Sequence, residues 1–218
     1  MKVLVAGANG ATGRIILQKL KEDNHSPRAM VRDEAQGPEL KELGADEIVV
    51  ADLEKDISHA VQGVEAVMFA AGSGSKTGKD KTDLVDRQGA IKLIDEAEKQ
   101  HVGRFIMLSA IGVDEYENGP KAMSHYLIAK AKADDHLRNS TLAYTIVRPG
   151  RLTYEKGNGL IRISEKLKNR EGNIPREDVA EVMVYGLKME NTANRIFEVL
   201  SGQTPIKQAL RTIDATES

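Results

Sequence analysis

The sequence predicts an α/β protein built on a doubly wound parallel sheet, and three observations predict it. Short apolar runs alternate with amphipathic helical patterns through the first two thirds of the 218 residues. Repeated strand–helix alternation gives parallel strands joined by right-handed crossovers. A glycine-rich turn also stands directly between the first apolar run and the first helical pattern.

The strand-like runs are residues 3–6, 28–31, 47–51, 66–70, 105–108 and 143–147. Each is short and largely aliphatic, as a strand covered on both faces requires. Between them, Ile15, Ile16 and Leu20 mark one helical face, and Leu84, Ile91, Leu93, Ile94 and Ala97 mark another. After Pro149 the pattern loosens into a Gly- and charge-rich stretch over 155–172. A helix is expected over 176–189, then a strand over 195–201. Last comes a helix capped by Thr204 with Pro205 in its first turn. This tail reads as a small C-terminal lobe within about residues 151–218, packed on the main sheet. With no compositional break, residues 1–218 are expected to form one domain.

Composition narrows the function. The chain carries 31 Lys and Arg against 33 Asp and Glu, a net charge of −2. That balance gives no electrostatic case for nucleic acid or an anionic membrane. Aromatic residues make up only 4%, which weakens a base-stacking role. The absence of cysteine excludes disulfides, thiolate nucleophiles and cysteine-held metals. The five histidines show no metal-ligand spacing, and no serine sits in a hydrolase elbow. The apolar run at the N-terminus is too short for a secretion signal or a membrane span. The expectation is a cytoplasmic protein with a small-molecule substrate, and with neither nucleic acid nor membrane as partner. Nothing here fixes an oligomeric state.

The turn after the first run contains Gly7, Asn9, Gly10, Ala11, Thr12 and Gly13, in the spacing G-x-x-G-x-x-G. Glycines let the chain bend sharply, let backbone approach a pyrophosphate and bring helix close to strand. The helix N-terminus behind them offers free N–H groups and the positive end of its dipole. An ordinary βα turn is the alternative, but the position between a strand and an amphipathic helix favours a dinucleotide. The spacing resembles that of extended and atypical members of the short-chain dehydrogenase/reductase family, which have the Rossmann fold. The resemblance continues along nearly the whole chain.

A nicotinamide cofactor follows from that resemblance, and the end of the second strand discriminates NADP from NAD. Arg32 offers a planar fork of donors that suits a 2′-phosphate, and Arg14, just after the third glycine, is placed to assist. Asp33 would instead take the ribose hydroxyl of NAD. NADP is the expected cofactor and NAD the alternative. Asp52 and Leu53 resemble the acid–aliphatic pair that lies against adenine, although Asp52 also suits a helix start ahead of Ile57. Ala70, Ala71 and Gly72 resemble the small-residue turn past which the cofactor runs. Arg148, Pro149 and Gly150 match the family's exit into the substrate region, which makes the tail a substrate-side lobe and Pro149 a cofactor neighbour. The segment containing Arg176 and Asp178 resembles the family too. These two residues could face a substrate, or could belong to a capped helix start with salt bridges.

Tyr126 and Lys130 stand one helical turn apart on one face. A nearby ammonium favours the phenolate. The tyrosine could then give a proton to a carbonyl oxygen, or take one from a hydroxyl, as hydride moves at the nicotinamide. Ser109, at the carboxyl end of the fifth strand, is placed to hydrogen-bond the same oxygen. The family's fourth catalytic position is an asparagine, and this chain has Asp86 there. That variant resembles the epimerase/dehydratase-like subgroup, in which the carboxylate could accept from Lys130 or from water. The expectation is an NADP-dependent oxidoreductase acting on a small carbonyl or alcohol through Ser109, Tyr126, Lys130 and Asp86. A sugar epimerase or dehydratase and a non-catalytic NADP(H) redox sensor are the alternatives.

Overall fold

In the computed structural model the chain starts with β1 (Lys2–Ala6), whose five residues run straight into the glycine turn and then into α1 (Ala11–Glu22). The structure describes residues 1–72, 82–116 and 123–213, so the last five residues of the expected lobe lie outside it. The next elements are β2 (Ser26–Val31), α2 (Gly37–Glu42), β3 (Glu47–Val50), α3 (Ser58–Val61) and β4 (Ala66–Phe69). A π-helical turn (Thr82–Gly89) leads into α4 (Ala90–Lys99), followed by β5 (Arg104–Leu108), α5 (Ser124–Arg138) and β6 (Tyr144–Pro149). The remainder comprises β7 (Arg151–Thr153), β8 (Leu160–Ser164), β9 (Asn173–Pro175), α6 (Arg176–Lys188), β10 (Arg195–Ser201), β11 (Thr204–Pro205) and α7 (Ile206–Arg211).

The main sheet has the order β11-β8-β10-β6-β5-β4-β1-β2-β3. From β3 to β10 every pairing is parallel, while β8 runs antiparallel to β10 and β11. The period-two alternation of a strand sends its side chains to two separate cores. Val3 and Val5 meet Ile16, Leu17 and Leu20 of α1 and Val179 and Met183 of α6. Leu4, Ala6, Phe69 and Met107 meet Leu93 and Ile94 of α4 and Ala133 and Leu137 of α5. Each fully buried leucine, isoleucine or phenylalanine contributes about 1.5–3 kcal/mol of transfer free energy. Both faces are therefore paid for by packing, which is why the strands read as continuous apolar runs.

Each expected strand is present, with ends shifted by a residue or two. The tail differs in two respects. The Gly- and charge-rich stretch holds a strand, β8, which joins β10 and carries the sheet past β6. Its pairing is non-local, and local composition around Arg162 and Glu165 hides it. Thr204 does not cap the last helix either. As part of β11 it pairs with Ile161 of β8, and Pro205 takes the N-cap position without a side-chain bond.

A second small sheet, β7 with β9, sits beyond the carboxyl end of β6. It is anchored at the start of α6. Asp178, only 1% exposed, accepts the Gly159 N–H at 2.9 Å and the Asn158 N–H at 3.4 Å, and Glu177 accepts the Gly157 N–H at 2.9 Å. Both acids sit in the first turn of α6, where the dipole favours them. The substitution Asp178→Ala strands two loop amides and should lower the unfolding free energy by about 2 kcal/mol. Urea denaturation checks this, and an unchanged midpoint would contradict the anchoring role.

Candidate functional site

The order of the sheet puts a switch point between β1 and β4, because the chain leaves β1 toward β2 on one side while β4 lies on the other. Ligands of doubly wound sheets bind in the crevice outside the carboxyl ends of the strands at such a point. Here the two strand ends almost touch. Gly7 has φ +85°, and a Cβ on it would lie 2.5 Å from the Ala71 nitrogen and 2.7 Å from the Ala70 carbonyl carbon. A Cβ on Gly13 would run into the Gly7 carbonyl and come within 2.8 Å of the Ala8 Cα. Only glycine fits at either position.

Behind this cradle, α1 is preceded by Gly10 at its N-cap, which is extended and has no side chain to cap the helix, and no acid stands in the first turn. Ala11 is exposed, and Thr12 and Gly13 are buried beneath the loop. The first N–H groups of α1 and its dipole are thus available to an anion. A floor without room for a Cβ beneath an uncapped helix N-terminus fits the diphosphate of a dinucleotide.

Arg14 and Arg32 differ in what they already hold. Arg14 donates from Nη2 to the Asn9 side chain at 2.6 Å and to Glu39 at 2.8 Å, and its Nη1 bonds the second Glu39 oxygen. Arg32, at the end of β2, is exposed and makes no hydrogen bond or ion pair among the described residues. Asp33 accepts from the Ala35 N–H at 2.9 Å and so closes its own turn. Asp52 does likewise with the Glu54 N–H at 3.0 Å. It starts no helix, since α3 begins only at Ser58. Leu53 is buried against Gly89, where a Cβ would approach it to 2.9 Å.

Next to the cradle, the carboxyl ends of β4, β5 and β6 meet α5 and the π-helical turn in a buried polar cluster. Lys130, 4% exposed, donates to the Leu108 carbonyl at 3.1 Å and stands 3.4 Å from Asp86. Its Nζ also lies 5.5 Å from the Phe69 ring centroid and 5.9 Å from that of Tyr126. Asp86 itself is fully buried on the π-helical turn, with Oδ1 3.4 Å from where a Cβ of Gly72 would be. Ser109 donates to Asp134 Oδ2 at 2.9 Å, and Arg148 reaches the same oxygen with Nε at 3.1 Å and Nη2 at 3.0 Å. Pro149 is buried at the end of β6, where its carbonyl accepts the Ile111 N–H at 3.0 Å and ties down the segment after Ser109. Tyr126 is half-buried and makes no hydrogen bond among the described residues.

The structure therefore brings Ser109, Tyr126, Lys130 and Asp86 together, and adds Asp134 and Arg148, which sequence reasoning missed. One signal was available: Tyr126, Lys130 and Asp134 recur at four-residue steps on one face of α5. Ser109 also donates to Asp134, a partner that its place after β5 does not reveal.

Two cations, Lys130 and Arg148, face two carboxylates, Asp86 and Asp134, so the buried set is neutral once both carboxylates are ionised. For Lys130, burial is the largest influence and would lower the pKa, but Tyr126, Asp86 and Asp134 together hold it above the usual lysine range. For Asp134, burial is again the largest influence and pushes the carboxyl up, against the opposing pull of Arg148, Ser109 and Lys130.

The family described as NAD(P)H-binding matches residues 7–190. A Bacillus subtilis protein named as an uncharacterized sugar epimerase is 43% identical over 215 residues, covering 97% of this chain and 99% of its own. Among solved structures, a Bacillus halodurans protein provisionally described as an NAD-dependent epimerase/dehydratase is 51% identical. It covers 97% of this chain and 99% of its own, with a TM-score of 0.95. An oxidoreductase from Lactococcus lactis is 31% identical, covers 97% of this chain and 96% of its own, and gives a TM-score of 0.85.

The raised pKa of Asp134 has a sign that can be checked. The native state keeps a proton that the unfolded chain has released, so stability falls as pH rises from the ordinary aspartate range through the raised value. Thermal midpoints of wild type and Asp134→Asn, from about pH 4 to about pH 8, isolate this group. Wild type should lose stability relative to the variant as pH rises, and a pH-independent difference would contradict the assignment.

Proposed function

The chain belongs to the NAD(P)H-binding family, within the Rossmann-fold short-chain dehydrogenase/reductases, and from that membership we propose that it is an NADP-dependent oxidoreductase acting on a small carbonyl or alcohol. The observation that carries this reading is the buried Lys130 ammonium, held between Asp86, the Leu108 carbonyl and the Tyr126 ring. A surface tyrosine–lysine pair would have neither the burial nor the carboxylate.

The bound cofactor supplies hydride for reduction or accepts it in oxidation. Tyr126 gives its phenolic proton to the substrate carbonyl oxygen, or takes the proton from the substrate hydroxyl in the reverse direction. Lys130 stabilises the phenolate left behind, and Asp86 keeps Lys130 charged and in place. Ser109, whose hydroxyl donates to Asp134, accepts from the Tyr126 or substrate hydroxyl and fixes its direction. Gly7, Gly10 and Gly13 carry the diphosphate, with Asn9, Ala11 and Thr12 framing it. Leu53 would support the adenine next to Asp52, and the turn of Ala70, Ala71 and Gly72 and the end of β6 at Pro149 would leave room for the rest of the cofactor. Arg32 reads the 2′-phosphate, a role supported by its freedom and by the engagement of Asp33 and Arg14 elsewhere. A sugar epimerase or dehydratase, returning the hydride within each cycle, is the second reading, favoured by the names of the relatives from Bacillus subtilis and Bacillus halodurans.

NADPH oxidation against a panel of small aldehydes and ketones tests the reading. Tyr126→Phe should lower kcat by about 10²–10⁴-fold while NADPH affinity stays unchanged. Equal turnover in the variant would remove Tyr126 from the chemistry. Cofactor that stays bound through purification, with no net NADPH oxidation by wild type, would move the assignment to the epimerase.

A further inference from the structure

One cation beyond the carboxyl end of β6 has no anionic partner. Arg176, the first residue of α6, makes no ion pair or hydrogen bond among the described residues, and its Nη1 is buried without a partner. Its guanidinium lies over the face of Tyr154, with the guanidinium carbon 4.0 Å from the ring centroid. Tyr154 is 83% exposed, so the stacked pair stands on an open surface instead of inside a core. Thr153 Oγ1 is a second buried group without a hydrogen-bond partner. In the β7–β9 register Thr153 stands opposite Pro175, the residue before Arg176.

The acids closest in sequence do not serve Arg176. Glu177 is taken by the Gly157 N–H and by Lys19 at 3.7 Å, and Asp178 by the amides of Asn158 and Gly159. A buried guanidinium nitrogen and a buried hydroxyl without partners are rare in native proteins and call for an acceptor. A stacked guanidinium is also pre-organised, presenting its donor edge in a fixed plane that matches a carboxylate or phosphate. The position suits a substrate group. Thr153 and Tyr154 follow Pro149 within a stretch of chain that spans at most about 18 Å. Gly150 lies against Leu200 and 3.1 Å from the Gly172 carbonyl by its Cβ position, which holds this ribbon over the ends of β6 and β10.

We propose that Arg176, backed by Tyr154 and assisted by Thr153, binds an oxyanion of the substrate, so that the substrate is a small carbonyl or hydroxyl compound carrying a carboxylate or a phosphate. This rests on the oxidoreductase reading, because it takes the space beyond β6 as the substrate side.

The test uses protein saturated with NADP⁺, so that Arg32 is already engaged, and follows the arginine Nε–Hε resonances by NMR. Sodium phosphate and sodium acetate are titrated separately against a sodium chloride control at equal ionic strength. The Arg176 resonance, assigned through Arg176→Gln, should shift saturably with at least one of the two anions and not with chloride. Tyr154→Ala should weaken that binding at least about fivefold, and Tyr154→Phe should preserve it. A response to phosphate alone or acetate alone names the substrate's charged group. An Arg176 resonance that moves no more than in chloride would overturn the proposal. NADPH affinity, measured on each variant, reports separately on folding and on the cofactor assignment: its loss in wild type would defeat the oxidoreductase reading, whereas its retention with a silent Arg176 would defeat only the oxyanion subsite.

Discussion

The constraint on which the site depends is the approach of the Gly7 backbone to Ala70 and Ala71, tighter than any side chain would allow. It forces β1 and β4 to end side by side and opens the sheet's switch point directly above them. It also sets α1 so close to β1 that Gly13 has no room for a Cβ. The uncapped N-terminus of α1 then faces the same crevice. One steric condition thereby places the phosphate cradle, its dipole and the small-residue turn in register, and the family match begins at this same Gly7.

The polar cluster beside the cradle obeys a different rule. Charges removed from water must be matched, and Lys130, Arg148, Asp86 and Asp134 match one another inside the protein. Removing any one of them would leave its partner buried and uncompensated, which is a strong reason for the four to act as a unit. The π-helical turn contributes by carrying Asp86 to Lys130, a local irregularity of the kind found at functional sites. The substitution of aspartate for the family's usual asparagine thus has a structural counterpart: a carboxylate is what balances Lys130 in a site this dry.

How much could be read from the sequence follows the range of the interactions. The run from β1 through the glycines to α1 was legible because backbone geometry dictates residue type locally. Tyr126 and Lys130 were legible because one helix face carries both. Asp134 lies on that same face, but its meaning depends on Arg148 of β6 and on Ser109 just past β5, which reach it through the fold. β8 was hidden for a similar reason, since its strand character comes from pairing with β10 and not from its own charge-flanked sequence. Arg14 shows the same limit, because its pairing with Glu39 of α2 is made by the fold and is not visible in the sequence around it. Sequence reasoning finds side chains that local chemistry requires. It misses those whose partners arrive through the fold.

The central claim is that the crevice over Gly7 and Gly13 takes NADP(H), with Arg32 as its phosphate reader. The most direct measurement is a parallel titration of the protein with NADPH and NADH, followed by nicotinamide fluorescence. The account predicts tighter binding of NADPH by at least about tenfold, or about 1.4 kcal/mol. Preference for NADH would transfer the ribose contact to Asp33 and contradict the role of Arg32, and binding of neither would contradict the cradle itself.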